Sequence, residues 1–211
     1  MIIEINGEHP QPRKIQEAVQ RLLRGELLAY PTDTVYAVGC DLRSKSAAKQ
    51  LEQLKVSHHP DRKKAAGMVP SLLVSDLSAI STWAIVEDSD YRLLKKALPG
   101  PYTFLLRASR EVPRMMVSKR RTIGVRVPDS AVVRALCEAL GGALLSTTAR
   151  DLEGELLWEP RAIEQAYKGS VGVVLDAGPL LPQPSTVVDL SEGAPQVVRE
   201  GKGDLARIGL S

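Results

Sequence analysis

Aromatic side chains are scarce: the chain has one Phe, two Trp and five Tyr. Leu, Val, Ala and Ile must therefore fill any core, and a hydrophobic content of 44% over 211 residues leaves ample material for one. Cysteine is nearly absent. Cys40 and Cys137 cannot build a disulfide framework, and neither has a partner at metal-ligand spacing. Histidine is limited to His9, His58 and His59, none set with a cysteine or carboxylate as metal ligands are. No apolar run approaches the ~18 residues of a membrane span. The N-terminal MIIEINGEHP lacks the basic-then-apolar order of a signal peptide. The expectation is a cytoplasmic protein with no membrane partner.

Signature motifs are missing as well. There is no G-x-x-x-x-G-K-[ST] phosphate loop and no G-x-G-x-x-G dinucleotide fingerprint. No serine sits in a G-x-S-x-G elbow. Nucleophilic and metal-hydrolase mechanisms therefore have little to stand on. An excess of one charge is also lacking, since 28 basic against 25 acidic residues gives only +3. The basic character is instead clustered, in Asp61-Arg62-Lys63-Lys64 and Lys119-Arg120-Arg121. Such runs are most often solvated faces. Their functional reading is attraction to a triphosphate or to a nucleic-acid backbone, with double-stranded RNA or tRNA as partner.

What the chain does have is alternation. Residues 2–5 read as a strand, and 13–24 place Ile15, Ala18, Val19, Leu22 and Leu23 on one helical face. Leu27 to Tyr30 and Val35 to Leu42 read as strands around a Thr-Asp-Thr turn. Ser44 is a candidate cap for a helix carrying Ala47, Ala48, Leu51 and Leu54. Residues 56–70 have no period and are expected to be a long loop, whose length marks it for function. Further strands are expected at 71–74, 102–107, 122–127, 143–145, 171–175, 186–190 and 196–199, with helices at 90–98, 130–140 and 160–168. This rhythm implies one α/β domain over residues 1–211. Closely spaced strands imply a mixed parallel and antiparallel sheet with helices on its faces.

Hydroxyls recur at strand ends: Thr32 and Thr34, then Ser146 to Thr148, then Ser185 and Thr186. Ligands of sheets with parallel strands bind outside strand ends, and hydroxyls there donate to anions without a buried charge. Turn chemistry explains each cluster equally well. Arg126 in TIGVRVP and Arg199 in QVVREG stand among apolar neighbours. A buried guanidinium needs an anionic partner, either an acidic residue of the chain or a ligand.

The segments YPTDTVYAVGC (30–40), PGPYTFLL (99–106), TIGVRVP (122–128), LLSTTA (144–149), STVVDL (185–190) and VVREG (197–201), in this order, resemble the YrdC/YciO family. Its best-known members are threonylcarbamoyl-AMP synthases. The resemblance implies a single α/β domain with a twisted mixed sheet around a large basic cavity. It also implies a reaction. Threonine and bicarbonate form a carbamate, whose carboxylate attacks the α-phosphate of ATP and expels pyrophosphate. Magnesium accompanies the ATP, no protein metal site is implied, and the product serves tRNA modification with other proteins.

Carried onto this chain, Thr32, Arg126, Ser146 and Ser185 surround threonine, with Thr34 and Tyr36 shaping its pocket. Lys55, Thr122, Thr148 and Arg199 face the nucleotide. Three positions depart from the family pattern. Ser57 stands where a second basic residue follows Lys55, Arg150 stands where an asparagine follows Thr148, and Ala37 replaces a glycine. With these, the chain looks closest to the YciO branch. The alternative is a protein that binds double-stranded RNA or tRNA through Arg62, Lys63, Lys64, Lys119, Arg120 and Arg121 and has lost efficient synthesis.

Overall fold

The computed structural model describes residues 1–67, 70–118 and 120–210, the side chains at positions 64, 66 and 115 excepted. In chain order the elements are β1 (Ile2–Glu4), α1 (Pro12–Leu23), β2 (Leu27–Pro31), β3 (Tyr36–Asp41), α2 (Lys45–Ser57), α3 (Arg62–Gly67) and β4 (Ser71–Leu73). There follow α4 (Ile80–Trp83), β5 (Ala84–Ile85), α5 (Asp88–Ala97), β6 (Tyr102–Ala108), β7 (Thr122–Arg126), α6 (Ala131–Leu140) and β8 (Leu144–Thr148). The chain ends with α7 (Pro160–Ala166), β9 (Val171–Asp176), β10 (Thr186–Asp189), β11 (Gln196–Arg199) and α8 (Leu205–Ile208). No helix among the described residues is long and apolar enough to cross a membrane.

Local chemistry sets the helix ends. Pro12 opens α1, where its fixed φ suits the first turn and its missing N–H is not needed. The Ser44 hydroxyl accepts from the Ala47 N–H at 3.4 Å and caps α2. Ser130 does the same for α6, which stops at Gly141 with φ +64.

The strands form one mixed sheet in the order β1-β9-β2-β3-β8-β4-β7-β6-β10-β11, with β5 added on β6. The β1/β9, β2/β9, β4/β7 and β6/β10 pairs are parallel. The β2/β3, β3/β8, β4/β8, β6/β7, β5/β6 and β10/β11 pairs are antiparallel. The expected single α/β domain with a mixed sheet is what forms.

The two faces are covered unequally, and this creates the site. One face packs against α2, α5, α7 and α8 through Leu51, Leu54, Leu94, Ile163 and Ile208. It takes one side of the strands, with Val38, Phe104, Leu106, Ile123, Val125 and Val188 inward. On the other face, α1 and α6 cover Leu28, Tyr30, Leu73, Leu144 and Val173. Beyond them lie the alternate residues of β7, β6 and β10: Gly124, Arg126, Thr103, Leu105 and Val187. Because strand side chains alternate, these face away from the main core, and neither Leu105 nor Val187 joins either apolar cluster.

Two expectations need correction. The segment 56–70 is not one loop, because α2 continues to Ser57 and α3 spans Arg62–Gly67. Two helical turns too short to show a period account for the misreading. The strand expected at 143–145 runs to Thr148, so Ser146 and Thr148 lie within β8 rather than past its end. The short elements α4, β5 and α8 carry no periodic signal of their own.

Candidate functional site

The floor of the open face is a cross-strand row. Ser146 pairs with Gly39 on β3 and with Ser71 on β4, Ser71 with Gly124 on β7, and Gly124 with Leu105 on β6. Both glycines are needed for closeness. A Cβ on Gly39 would lie 2.3 Å from the Tyr30 hydroxyl, and one on Gly124 would lie 2.9 Å from Ser71 Oγ. The Tyr30 hydroxyl reaches over Gly39 and donates to Ser146 Oγ at 3.0 Å.

The Thr32–Thr34 loop turns in above this floor. Thr32 Oγ1 accepts from the N–H groups of Thr34 (3.1 Å) and Val35 (3.2 Å) and donates to the Val35 carbonyl at 2.6 Å. The Thr32 hydroxyl thus closes the turn, with its proton donated to the Val35 carbonyl. Arg126 Nη2 donates to Asp33 Oδ1 and to Thr34 Oγ1, each at 2.9 Å. Asp33 Oδ2 accepts from the Asp129 N–H at 3.1 Å, and the Asp33 carbonyl accepts from Lys202 Nζ. Burial pushes the Arg126 pKa down, and the Asp33 carboxylate opposes that shift. The Asp33 side chain is only 8% exposed, so the pair is a buried one. The acidic partner that Arg126 requires thus belongs to the chain, yet its Nε is buried with no hydrogen-bond partner among the described residues.

A second cluster forms where β10 begins. Ser185 Oγ lies 2.8 Å from Thr103 Oγ1. The Arg199 guanidinium folds back from the exposed edge strand β11 and donates to the Ser185 carbonyl through Nη2 (2.8 Å) and Nε (3.2 Å). Its pKa is lowered, first by desolvation and then by the positive charges of Arg150 and Arg126. Three guanidiniums thus share one field, which ties the two clusters together.

The other anticipated residues fall as follows. Thr148 follows Ser146 on the same face of β8 and is half-buried. Tyr36 points to the opposite, apolar face. Its hydroxyl donates to the Gly178 carbonyl (2.8 Å) and accepts from the Ala177 N–H (3.1 Å), holding the segment that leads to Ser185. Lys55 is buried on α2 with Nζ 2.8 Å from Glu52 Oε2. Thr122 Oγ1 lies 2.7 Å from Ser118 Oγ, and no hydrogen bond among the described residues links it to either cluster. Ser57 spends its hydroxyl on the Leu54 carbonyl at 3.0 Å. Of the basic runs, Arg62 and Lys63 are exposed on α3. Arg120 is exposed but paired with Glu192 at 3.1 Å, and Arg121 sits at φ +60. Lys119 lies outside the described residues, as does the side chain of Lys64.

Asp33, Thr103 and Lys202 join these clusters with no signal in the sequence, whereas Arg150 stood out there only as a departure from the family pattern. Asp33 looked like an ordinary turn residue, and only the fold brings it to Arg126. A separate cavity of about 520 Å³ lies between the start of α5 and the end of β10. Glu87, Asp90 and Glu192 outnumber Arg107 on its wall, so it suits no anion. Among the described residues no three His, Cys, Asp or Glu side chains converge as a metal site.

The family model Sua5_yciO_yrdC, described as "Telomere recombination", matches residues 20–201. The chain is 39% identical over 204 residues to YciO of Escherichia coli (strain K12), covering 95% of each. The crystal structure of E. coli YciO superposes with a TM-score of 0.90 at 37% identity, over 99% of this chain and 98% of that one. The threonylcarbamoyl-AMP synthase of Chromohalobacter salexigens is 32% identical over 181 residues, 85% of this chain and 94% of that protein. The structure of P. abyssi Sua5 complexed with L-threonine is 25% identical with a TM-score of 0.85, over 99% of this chain but 59% of that one.

Proposed function

This chain belongs to the Sua5–YciO–YrdC family, and from that premise we propose that it is an L-threonylcarbamoyladenylate synthase serving tRNA threonylcarbamoyladenosine formation. The observation that carries the reading is the buried Arg126, whose Nη2 is held by Asp33 and Thr34 while its Nε has no hydrogen-bond partner among the described residues. The L-threonine of the P. abyssi relative supports an amino acid as a ligand of this fold.

In this reading Arg126 Nε meets the threonine carboxylate in a charge-assisted hydrogen bond. Asp33 fixes the other edge of the guanidinium, so the fork is oriented before substrate arrives. The threonine amine combines with bicarbonate, losing water, to give the carbamate. A carbamate oxygen attacks the α-phosphorus of ATP, and the α–β bridging oxygen leaves with pyrophosphate. The attacking group belongs to the substrate, so the protein has to position two anions and offset their repulsion. Arg199 and Thr148 lie on the nucleotide side, while Ser185 lies between the two substrates. Magnesium enters as part of the ATP substrate, carried by its phosphates. Lys55 and Thr122 bear on the phosphates in this reading, from the end of α2 and the start of β7.

The test is pyrophosphate release from ATP, expected only with bicarbonate and threonine both present. Arg126→Gln should lower it by two orders of magnitude or more. Absence of release in the unaltered protein, with no rise in melting temperature on adding threonine and ATP together, overturns the reading.

A further inference from the structure

Ser146 occupies the floor of the open face, and a buried phenol decides which way its proton points. Tyr30 has no exposed surface, and it reaches Ser146 on β8 from β2, across the intervening strand β3. That reach requires Gly39, the cross-strand partner of Ser146, because any side chain there would take the space of the Tyr30 hydroxyl. The contact is 3.0 Å, with Tyr30 as donor. No other hydrogen bond among the described residues engages the Tyr30 hydroxyl, and full burial keeps water from it. Its proton therefore goes to Ser146 Oγ, since a buried donor left unmade is costly. Burial also holds the phenol protonated well past its ordinary range.

The Ser146 oxygen thus accepts from Tyr30, and its own proton is left over. No hydrogen bond among the described residues takes that proton. The cross-strand neighbour Ser71 leans the other way, over Gly124, where an added Cβ would lie 2.9 Å from Ser71 Oγ. The remaining direction is into the open face, where Arg126 stands on the same side of β7 as Gly124. The other hydroxyls of the site are disposed differently. Thr32 has given its proton to the Val35 carbonyl, Thr34 Oγ1 accepts from Arg126, and either of Ser185 and Thr103 can donate to the other. Ser146 cannot exchange roles with its partner in that way, because reversal would orphan the phenol proton.

We infer that Tyr30 is a positioning residue that commits the Ser146 hydroxyl to donate to an anionic oxygen of the ligand, the carboxylate of the bound amino acid. The inference rests on the synthase reading, in which Ser146 and Arg126 both surround threonine. Two donors converging on one carboxylate favour it over a carboxamide, whose NH2 would meet the serine proton head-on. Tyr30 itself never touches the ligand. Its hydroxyl acts on selectivity through Ser146, and without it the serine hydroxyl is free to rotate and accept.

The test is calorimetric titration of L-threonine and of L-threonine amide into the unaltered protein, Tyr30→Phe, Ser146→Ala and the double variant. The parent should bind threonine about tenfold more tightly than the amide, or better. Tyr30→Phe keeps the ring and its packing. It should weaken threonine binding by about three- to tenfold and amide binding by less than about twofold, so the preference for the carboxylate falls. A merely structural loss would weaken both ligands alike. Ser146→Ala should weaken threonine binding by about tenfold, and adding Tyr30→Phe to it should change little more, because no hydroxyl is left to orient. Equal losses for both ligands in Tyr30→Phe overturn the inference, as do additive losses in the double variant or a parent that binds no threonine. Ser146→Ala keeps the question decidable should Tyr30→Phe fail to fold, since a threonine-to-amide ratio unchanged from the parent also overturns it. Tyr30-dependent threonine binding without pyrophosphate release removes the synthase reading alone. Turnover whose threonine KM is the same in Tyr30→Phe removes the positioning role alone.

Discussion

Asp33 and Thr32 sit side by side and do opposite kinds of work. Thr32 is structural, because its hydroxyl closes the loop by three hydrogen bonds to Thr34 and Val35. Thr32→Ala should lower unfolding free energy by about 1–3 kcal/mol, the penalty of leaving such groups unmade. Thr32→Ser should restore most of it, as urea denaturation can measure. Asp33 instead balances a buried charge, and Asp33→Asn leaves Arg126 without one. Removing one partner of a buried pair costs about 3–5 kcal/mol, so Asp33→Asn should be the more damaging change by the same assay. The sequence distinguished neither role. Thr32 and Arg126 stood out through their apolar surroundings and motif, but the Asp33–Arg126 bond joins positions 93 apart. A short polar side chain in a turn carries no mark of such a partner.

Among the elements, β3 and β7 show how glycine placement makes a floor. An alanine at Gly39 meets the Leu145 carbonyl at 2.7 Å as well as the Tyr30 hydroxyl at 2.3 Å. At Gly124 the nearest atom is the Ser71 hydroxyl at 2.9 Å, which can rotate away. Gly39→Ala should therefore cost about 1–3 kcal/mol, the usual range for overpacking, and Gly124→Ala less. Adding Tyr30→Phe to Gly39→Ala should recover only part of the loss, because the backbone carbonyl remains. Thermal unfolding of the three variants decides this ranking. Elements with a clear period, such as α1 and α6, were legible from their apolar faces and caps. The helix α3 was not, because six residues are too few to show a 3.6-residue repeat. The order of the strands was not legible either, since β4 inserts between β7 and β8 through pairings that no local signal encodes.

For the whole molecule, buried weak acids predict alkaline sensitivity. Burial pushes Cys40 and Cys137 from 9.0 to about 12, and Tyr36 and Tyr167 from 10.0 to about 12. Tyr30 is raised further in the same direction. The unfolded chain releases these protons first, so above pH ~9 it binds fewer protons than the folded state and stability falls as pH rises. Stability from these groups is complete below pH ~9 and is lost progressively toward pH ~12. Each group contributes a slope of up to about 1.4 kcal/mol per pH unit within its window. Denaturation midpoints should be flat from pH ~7 to ~8.5 and drop steeply above ~10. A midpoint that holds to pH 11 contradicts it. The family resemblance was visible because six short segments kept their order along the chain, whereas the uneven covering of the sheet, which opens the site, depends on which strands α1 and α6 lie across.

The outermost strand, β11, is exposed along its whole length, including Val197 and Val198, and it carries Arg199. An edge strand held on one side only opens at lower free energy than the sheet it borders. Detachment of β11 would carry off Arg199 and release the Ser185 carbonyl that it holds. Ligand capacity would then disappear in a small early step while the circular dichroism of the sheet stays native, and amide exchange at 196–199 should report the same opening. If the proposed nucleotide binds here, it should slow that exchange, and the last strand would be the latch that it fastens.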